Sequence, residues 1–351
     1  MPFVLSVKDT YRQAVEAASG GRNTVIYDDK GNPSIMVFVP RFNLADVIDG
    51  APASPHPAFI VNGVVKDGIW ISKYQNIIHD GRAYSLPGMN PATNLNIDAA
   101  SAACKAKGTG WHLMTNAEWA AIALWCKKNG FLPRGNNAFG KDHASTHESG
   151  RLVNPSTPDK VLTGSGPVAW SHDGTTSGIY DLNGNVSEFV DGLRLVNGKI
   201  WTHKDNDFGT DPNSLATWVD TGVFIDSTLP GSADTTATRA PGSIQFAADR
   251  TNSMSTLGDL DNVYVYNFQT FELMPSKSGY TVPELLKYLA VAPTAGSHGL
   301  DTLEVRNYGT RIAFRGGDWS SGSATGLFFL NVARPRTQLS STAGFRSAFI
   351  G

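Results

Sequence analysis

The chain has 351 residues, of which 41% are hydrophobic and only 17% charged, with 36 Gly, 19 Pro and a formal net charge of -2. Low charge with this much Gly and Pro points to a loop-rich globular protein of one large or two ordinary domains rather than a helical bundle. A near-neutral chain has no overall electrostatic footprint for nucleic acid, and no apolar run reaches the length needed to insert in a membrane.

In chain order, residues 1–25 are polar with helical spacing at Tyr11, Ala14, Val15 and Ala18, and read as a leader or attachment segment. The start is not a secretory signal: it lacks a charged first region, and Lys8 and Asp9 interrupt the apolar stretch. Two apolar runs, Thr24 to Tyr27 and Ser34 to Pro40, flank Asp28-Asp29-Lys30-Gly31-Asn32 and predict a hairpin. Gly68 to Tyr74 reads as a further strand. An Ala-rich helix is predicted from Asp98 to about Lys107. A second helix, Thr115 to Asn129, carries a capping box (Thr115 with Glu118) and Gly130 just past its end. On it Trp119, Ile122, Ala123 and Cys126 share one face, so they are core. Trp170, Ile179, Tyr180 and Leu182 anchor the next, turn-rich stretch. Residues of about 200–305 are rich in Thr, Ser, Asp and Ala, show little periodicity before Val263-Tyr264-Val265-Tyr266, and read as an insertion with one helix near Val282 to Leu289.

Several polar groupings carry no chemistry of their own. His143 and His147 stand four apart, but in loop-like sequence that does not supply the helical face a metal pair needs. Ser171-His172-Asp173 is contiguous and cannot converge as a triad. The acidic run Lys204 to Asp211 lacks the spaced ligands and terminal Glu of a calcium-binding EF-hand loop. Cys104 and Cys126 are too few for a disulfide framework and read as buried thiols, or as one disulfide if their helices pack side by side.

Four blocks stand out: Leu113-Met114-Thr115-Asn116-Ala117-Glu118-Trp119, the run Gly178 to Phe189, Arg315-Gly316-Gly317-Asp318-Trp319, and Gly344-Phe345-Arg346-Ser347-Ala348. In that order they resemble the formylglycine-generating-enzyme family, whose fold is a variant of the C-type lectin fold. The resemblance implies an α+β, irregular, loop-rich lectin-type domain over 26–351, interrupted by the 200–305 insertion. Trp119, Trp170 and Trp319 are read as its core anchors. The family's enzymes use a C-terminal cysteine pair that binds copper, and relatives with non-haem iron need a histidine set. Between Asp318 and Thr342 there is no Cys and no His, so the resemblance implies a scaffold without that machinery and a protein that is not an enzyme. The rival readings are a metal-dependent oxidase of the formylglycine-generating or sulfoxide-synthase type and a purely structural virion component. In the resembled enzymes the block at Asn183-Gly184-Asn185-Val186-Ser187-Glu188 wraps calcium. Carried over, Asn183 and Glu188 would give side chains and Gly184 and Val186 carbonyls. The alternative is a hydrogen-bonded turn in which Glu188 pairs with a backbone donor or an arginine.

The segment between Arg315-Gly316-Gly317 and Gly344-Phe345-Arg346 is rich in Ser, Thr, Gly and aromatic residues, the composition of an adaptable binding surface. Its layout resembles the variable region, here 315–348, of proteins diversified by diversity-generating retroelements, which are often phage receptor-binding proteins. The resemblance implies a solvent-facing ligand-binding face at Asp318, Ser320, Ser321, Ser323, Thr325, Phe329, Ala333, Arg334, Thr337, Gln338 and Ser340. Trp319, Gly322, Gly326, Leu327 and Asn331 are its expected hidden framework. Arg315 and Arg346 are expected to hold the segment through buried ion pairs. The partner would be a protein or cell-surface ligand, with other virion proteins if the chain is a phage-tail component; no cofactor is required, calcium apart. Assembly is expected in the cytoplasm, on a virion or, by another route, at a cell surface.

Overall fold

The computed structural model describes residues 9–229, 242–255 and 266–351. Within them the chain is sheet-rich, with few helices. The predicted hairpin forms from Asn23–Tyr27 and Pro33–Pro40. Its turn closes because Asp28 Oδ1 accepts the backbone N–H groups of Lys30 and Asn32. The hairpin is one edge of a five-stranded sheet, in the order Asn23–Tyr27, Pro33–Pro40, Gly68–Ser72, Ser347–Phe349, Trp111–Leu113.

A second, nine-stranded sheet runs in the order Ile244–Ala247, Val219–Ser227, Lys199–Thr202, Ser187–Val196, Thr310–Arg315, Leu330–Pro335, Thr302–Val305, Asn267–Thr270. Ala343–Phe345 adds to it by pairing in parallel with Ser187–Val196. The stretch read as an insertion therefore supplies strands to both sides of this sheet, while Val263, Tyr264 and Val265 lie outside the described residues. The boundary drawn at residue 25 falls within a strand. The helix Thr10–Ser19 before it is tied to that strand by Arg12 Nε donating to the Val25 carbonyl at 3.2 Å; residues 1–8 are outside the described part.

The helix Asn116–Lys128 begins as its capping box predicts. Thr115 Oγ1 accepts from Glu118 N, and Glu118 Oε2 accepts from Thr115 N. Every residue from Asn116 to Leu124 is buried, and not merely the one apolar face. Glu118 is sealed in with it because its Oε1 also accepts from Asn206 Nδ2, with His112 Nε2 at 2.9 Å. The other predicted helices form at Ile97–Lys105 and Glu284–Tyr288. Cys104 and Cys126 are free and buried, and no disulfide joins them. Burial pushes the Cys104 thiol up to about 12 and raises that of Cys126 as well.

Candidate ligand-binding site

Two glycines open the segment of interest. Gly316 and Gly317 have φ of 81° and 71°, where only glycine is unstrained. A Cβ at Gly316 would lie 2.7 Å from the Leu182 carbonyl oxygen, and one at Gly317 2.3 Å from the Thr325 side chain. The pair lets the chain leave the strand Thr310–Arg315 and fold back on itself.

Both ends of the segment are fastened to the 181–189 block. At the start, Gly184 N donates to Gly316 O at 2.9 Å and Trp319 N to Asn185 O at 3.2 Å. At the end, Ser187 N donates to Thr342 O, and Ala343 to Phe345 pair alongside Ser187 to Phe189. Arg346, at the crossing between the two sheets, donates from Nε and Nη2 to both carboxylate oxygens of Glu188 at 2.6 and 2.5 Å. Neither side chain is more than 1% exposed. In the middle, Trp119 Nε1 donates to Leu327 O at 2.8 Å, and the Asp301 carboxylate accepts from Phe328 N at 2.6 Å.

Held this way, the segment forms most of the wall of a cavity of about 360 Å³. Seven of the eleven expected ligand-binding residues line it: Asp318, Ser320, Ser321, Thr325, Phe329, Arg334 and Ser340. The other four do not. Ser323 and Thr337 are exposed outside the cavity and Gln338 is half-buried beside them. Ala333 is fully buried, in a strand that is paired on both sides, and its N–H is taken by Asn331 Oδ1. Thr325 and Phe329 are each 5% exposed, so they form the inner wall rather than a solvent-facing surface.

The expected framework is corrected at three places, the first being Gly322, which is half-buried with nothing within 4 Å of a Cβ built on it. Trp119 and Trp170 are fully buried, but Trp319 is half-buried, its ring 5.3 Å from that of exposed Phe139. Asn331 lines the cavity as well as supporting it. Its Nδ2 donates to Glu304 Oε2, across the parallel pairing of Thr302–Val305 with Leu330–Pro335. Tyr266, Glu304, Phe314 and Ser187 also line the cavity. The first two come from the stretch read as an insertion; Tyr266 ends its one alternating run, and nothing in the local sequence of either points to the cavity.

The arginines differ. Arg346 makes the expected ion pair, whereas Arg315 is held by neutral acceptors: Asn116 Oδ1 at 2.7 Å and Ala290 O at 2.9 Å. Burial lowers its pKa to about 9. Burial likewise raises Asp301 to about 7 and Asp181 to about 6, against the pull of the backbone N–H groups they accept.

The expected calcium ligands do not fit an ion as arranged. The carbonyls of Gly184 and Val186 and Glu188 Oε1 all converge, with the Asp181 carbonyl, on Gln75 Nε2 at 2.9–3.3 Å. The amide is oriented by Asn185 Nδ2, which donates to Gln75 Oε1 at 2.8 Å. Asn183 Nδ2 donates to Pro133 O, and the Glu188 charge is already matched by Arg346. A hydrogen-bonded turn with an arginine partner therefore occupies the place of the cation. Among the described residues no group of three or more His, Cys, Asp or Glu is placed to hold a metal, and no helix is long and apolar enough to cross a membrane.

No family model and no curated protein matches the chain. Among solved structures, PvdO from Pseudomonas aeruginosa aligns at 14% identity over 93% of this chain and 97% of its own, with a TM-score of 0.38. Treponema denticola variable protein 1 aligns at 13% identity over 93% of this chain and 98% of its own, with a TM-score of 0.33. Both TM-scores lie below 0.5.

Proposed function

We propose that this chain is a ligand-recognition protein that presents a retroelement-diversified segment on a C-type lectin fold of the formylglycine-generating-enzyme type. The observation that carries the reading is the convergence of seven segment residues on one cavity whose two rims are clamped to the 181–189 block. A surface can change its side chains without unfolding only if its backbone is fixed by other means, and here the fixing contacts are backbone hydrogen bonds and the Glu188–Arg346 pair. The ligand would be a protein or cell-surface component, and the setting a virion, as a phage-tail protein, or a cell surface. The reading assigns no catalysis. The segment has no Cys or His, and both thiols of the chain are buried with raised pKa values, which makes them inert.

The test is a library randomised at Asp318, Ser320, Ser321, Arg334 and Ser340, scored for protease resistance and then selected on unrelated targets. Folded members with new specificities are expected. If most members unfold, these side chains are part of the core and the reading fails. Sequencing the flanking DNA gives an independent check, since a reverse-transcriptase gene and a near-copy of the 318–342 coding segment are expected there.

A further inference from the structure

We propose that a second, smaller pocket, lined by Arg194 and Arg336 and sharing no residue with the larger cavity, is a binding site for a small carboxylate. Arg194 belongs to the strand Ser187–Val196 and is 8% exposed. Its Nη1 donates to Pro212 O at 2.8 Å, and its guanidinium carbon lies 3.7 Å from the centre of the Trp218 ring, so the side chain is held in one place. Its Nε and Nη2 are buried and have no hydrogen-bond partner. Arg315 and Arg346, equally buried, are met by Asn116 and by Glu188. A buried donor left unmet costs the full desolvation of the group, and more when the group is charged.

The two unmet groups are neighbours on one edge of the planar guanidinium. That edge presents two parallel N–H bonds, the geometry in which the two oxygens of a carboxylate accept. The carboxylates of the pocket itself are engaged elsewhere. Asp98 takes Arg336 Nε on both oxygens at 2.9 Å. Asp191 Oδ1 accepts from Gly192 N at 2.7 Å and stands 3.7 Å from His203 Nε2. Asp191 and Asp211 attract the Arg194 charge from a distance without a hydrogen bond to it. Arg336 adds a second positive charge, because its Nη1 donates to the same Pro212 O at 3.1 Å. Burial first, and then that neighbouring charge, lower the Arg194 pKa to about 10, which leaves the group charged at neutral pH. Water would meet the two N–H groups without balancing the charge. An anion does both.

Size and lining choose the anion. The pocket holds about 40 Å³. One water needs about 10–15 Å³, so there is room for about three water-sized groups, as many heavy atoms as a carboxylate has. Ile97, Leu193, Ile312 and Trp218 make the rest of the wall apolar. That suits a short alkyl chain behind the carboxylate. It does not suit phosphate or sulfate, whose oxygens need donors on every side.

The test titrates the full chain with acetate at constant ionic strength, chloride making up the balance. Melting temperature and saturation-transfer NMR on the acetate methyl group are the readouts. A saturable rise is expected, because a ligand that binds only the folded state stabilises it. Arg194→Met keeps the packing on Trp218 but removes the charged edge, and should weaken acetate binding at least tenfold. Ser101→Leu leaves Arg194 in place and fills the pocket from the helix Ile97–Lys105; it should lose the response too, which keeps the test decisive if Arg194→Met does not fold. Phosphate should give no comparable shift. In a further arm a blocked Gly-Asp-Gly peptide replaces acetate: tighter binding than acetate assigns the carboxylate to a protein side chain, weaker binding to a free small acid. Equal behaviour in acetate and chloride, an equal shift with phosphate, or an acetate response that survives both variants overturns the proposal.

Discussion

The Glu188–Arg346 pair is the point at which the fold and the site are joined, and a double-mutant cycle measures it. Arg346 is fully buried and donates four hydrogen bonds: two to Glu188, one to Ser72 O at 3.1 Å and one to Tyr180 O at 3.0 Å. Arg346→Met keeps much of the volume but leaves a buried carboxylate facing only the Gln75 amide, and strips Ser72 O and Tyr180 O of this donor. Breaking a buried pair by removing one partner costs about 3–5 kcal/mol, most of it the penalty of the stranded charge. Glu188→Leu strands the guanidinium in the same way. The double variant, Glu188→Leu with Arg346→Met, strands neither charge. It should recover much of the loss, giving a coupling of about 2 kcal/mol or more between sites in direct contact. Denaturant unfolding of the four proteins supplies the numbers. Because the pair fastens the end of the binding segment, amide exchange in 340–348 should rise more in Arg346→Met than exchange in the distant hairpin of 23–40. Single variants that unfold within about 1 kcal/mol of the parent, or losses that simply add, would refute the clamp.

Neither calcium nor a chelator should move the melting temperature, because Gln75 Nε2 fills the oxygen cage; a calcium-dependent rise, which mass action requires of any ion binding the folded state, sinks that assignment. Asp301 and Asp181 have pKa values raised by burial, so the folded state binds protons the unfolded chain has released, and their contribution to stability is complete below about pH 4 and lost as pH rises through about 6 to 7. Asp301→Asn should therefore gain on the parent between pH 4 and 7, and parallel stability curves would contradict it. Cys104 and Cys126 should react slowly with a thiol reagent in the native protein and quickly after unfolding, and a cysteine-containing peptide of the sulfatase type should not be oxidised with copper and oxygen; turnover lost on mutating either cysteine would make the protein an enzyme.

Local signals in the sequence determined what is local. Thr115, Glu118 and Gly130 bracket the buried helix because caps act through hydrogen bonds within one turn. Asp28 to Asn32 closes the hairpin for the same reason, and Gly316-Gly317 marks a reversal that no other residue pair tolerates. The composition of 318–342 located the cavity's wall, since small hydroxylated side chains are what a lining needs. Tertiary structure decided the rest. Whether Ala333 and Phe329 face solvent depends on what the fold lays over them, and side-chain alternation does not reveal the covering layer. Glu304 reaches the cavity through a parallel pairing with no sequence signature, and Tyr266 stands just before the strand 267–270 that pairs beside it. Gln75 fills the oxygen cage because residues more than a hundred positions apart converge, and a lone Gln carries no mark of the partners that folding will bring.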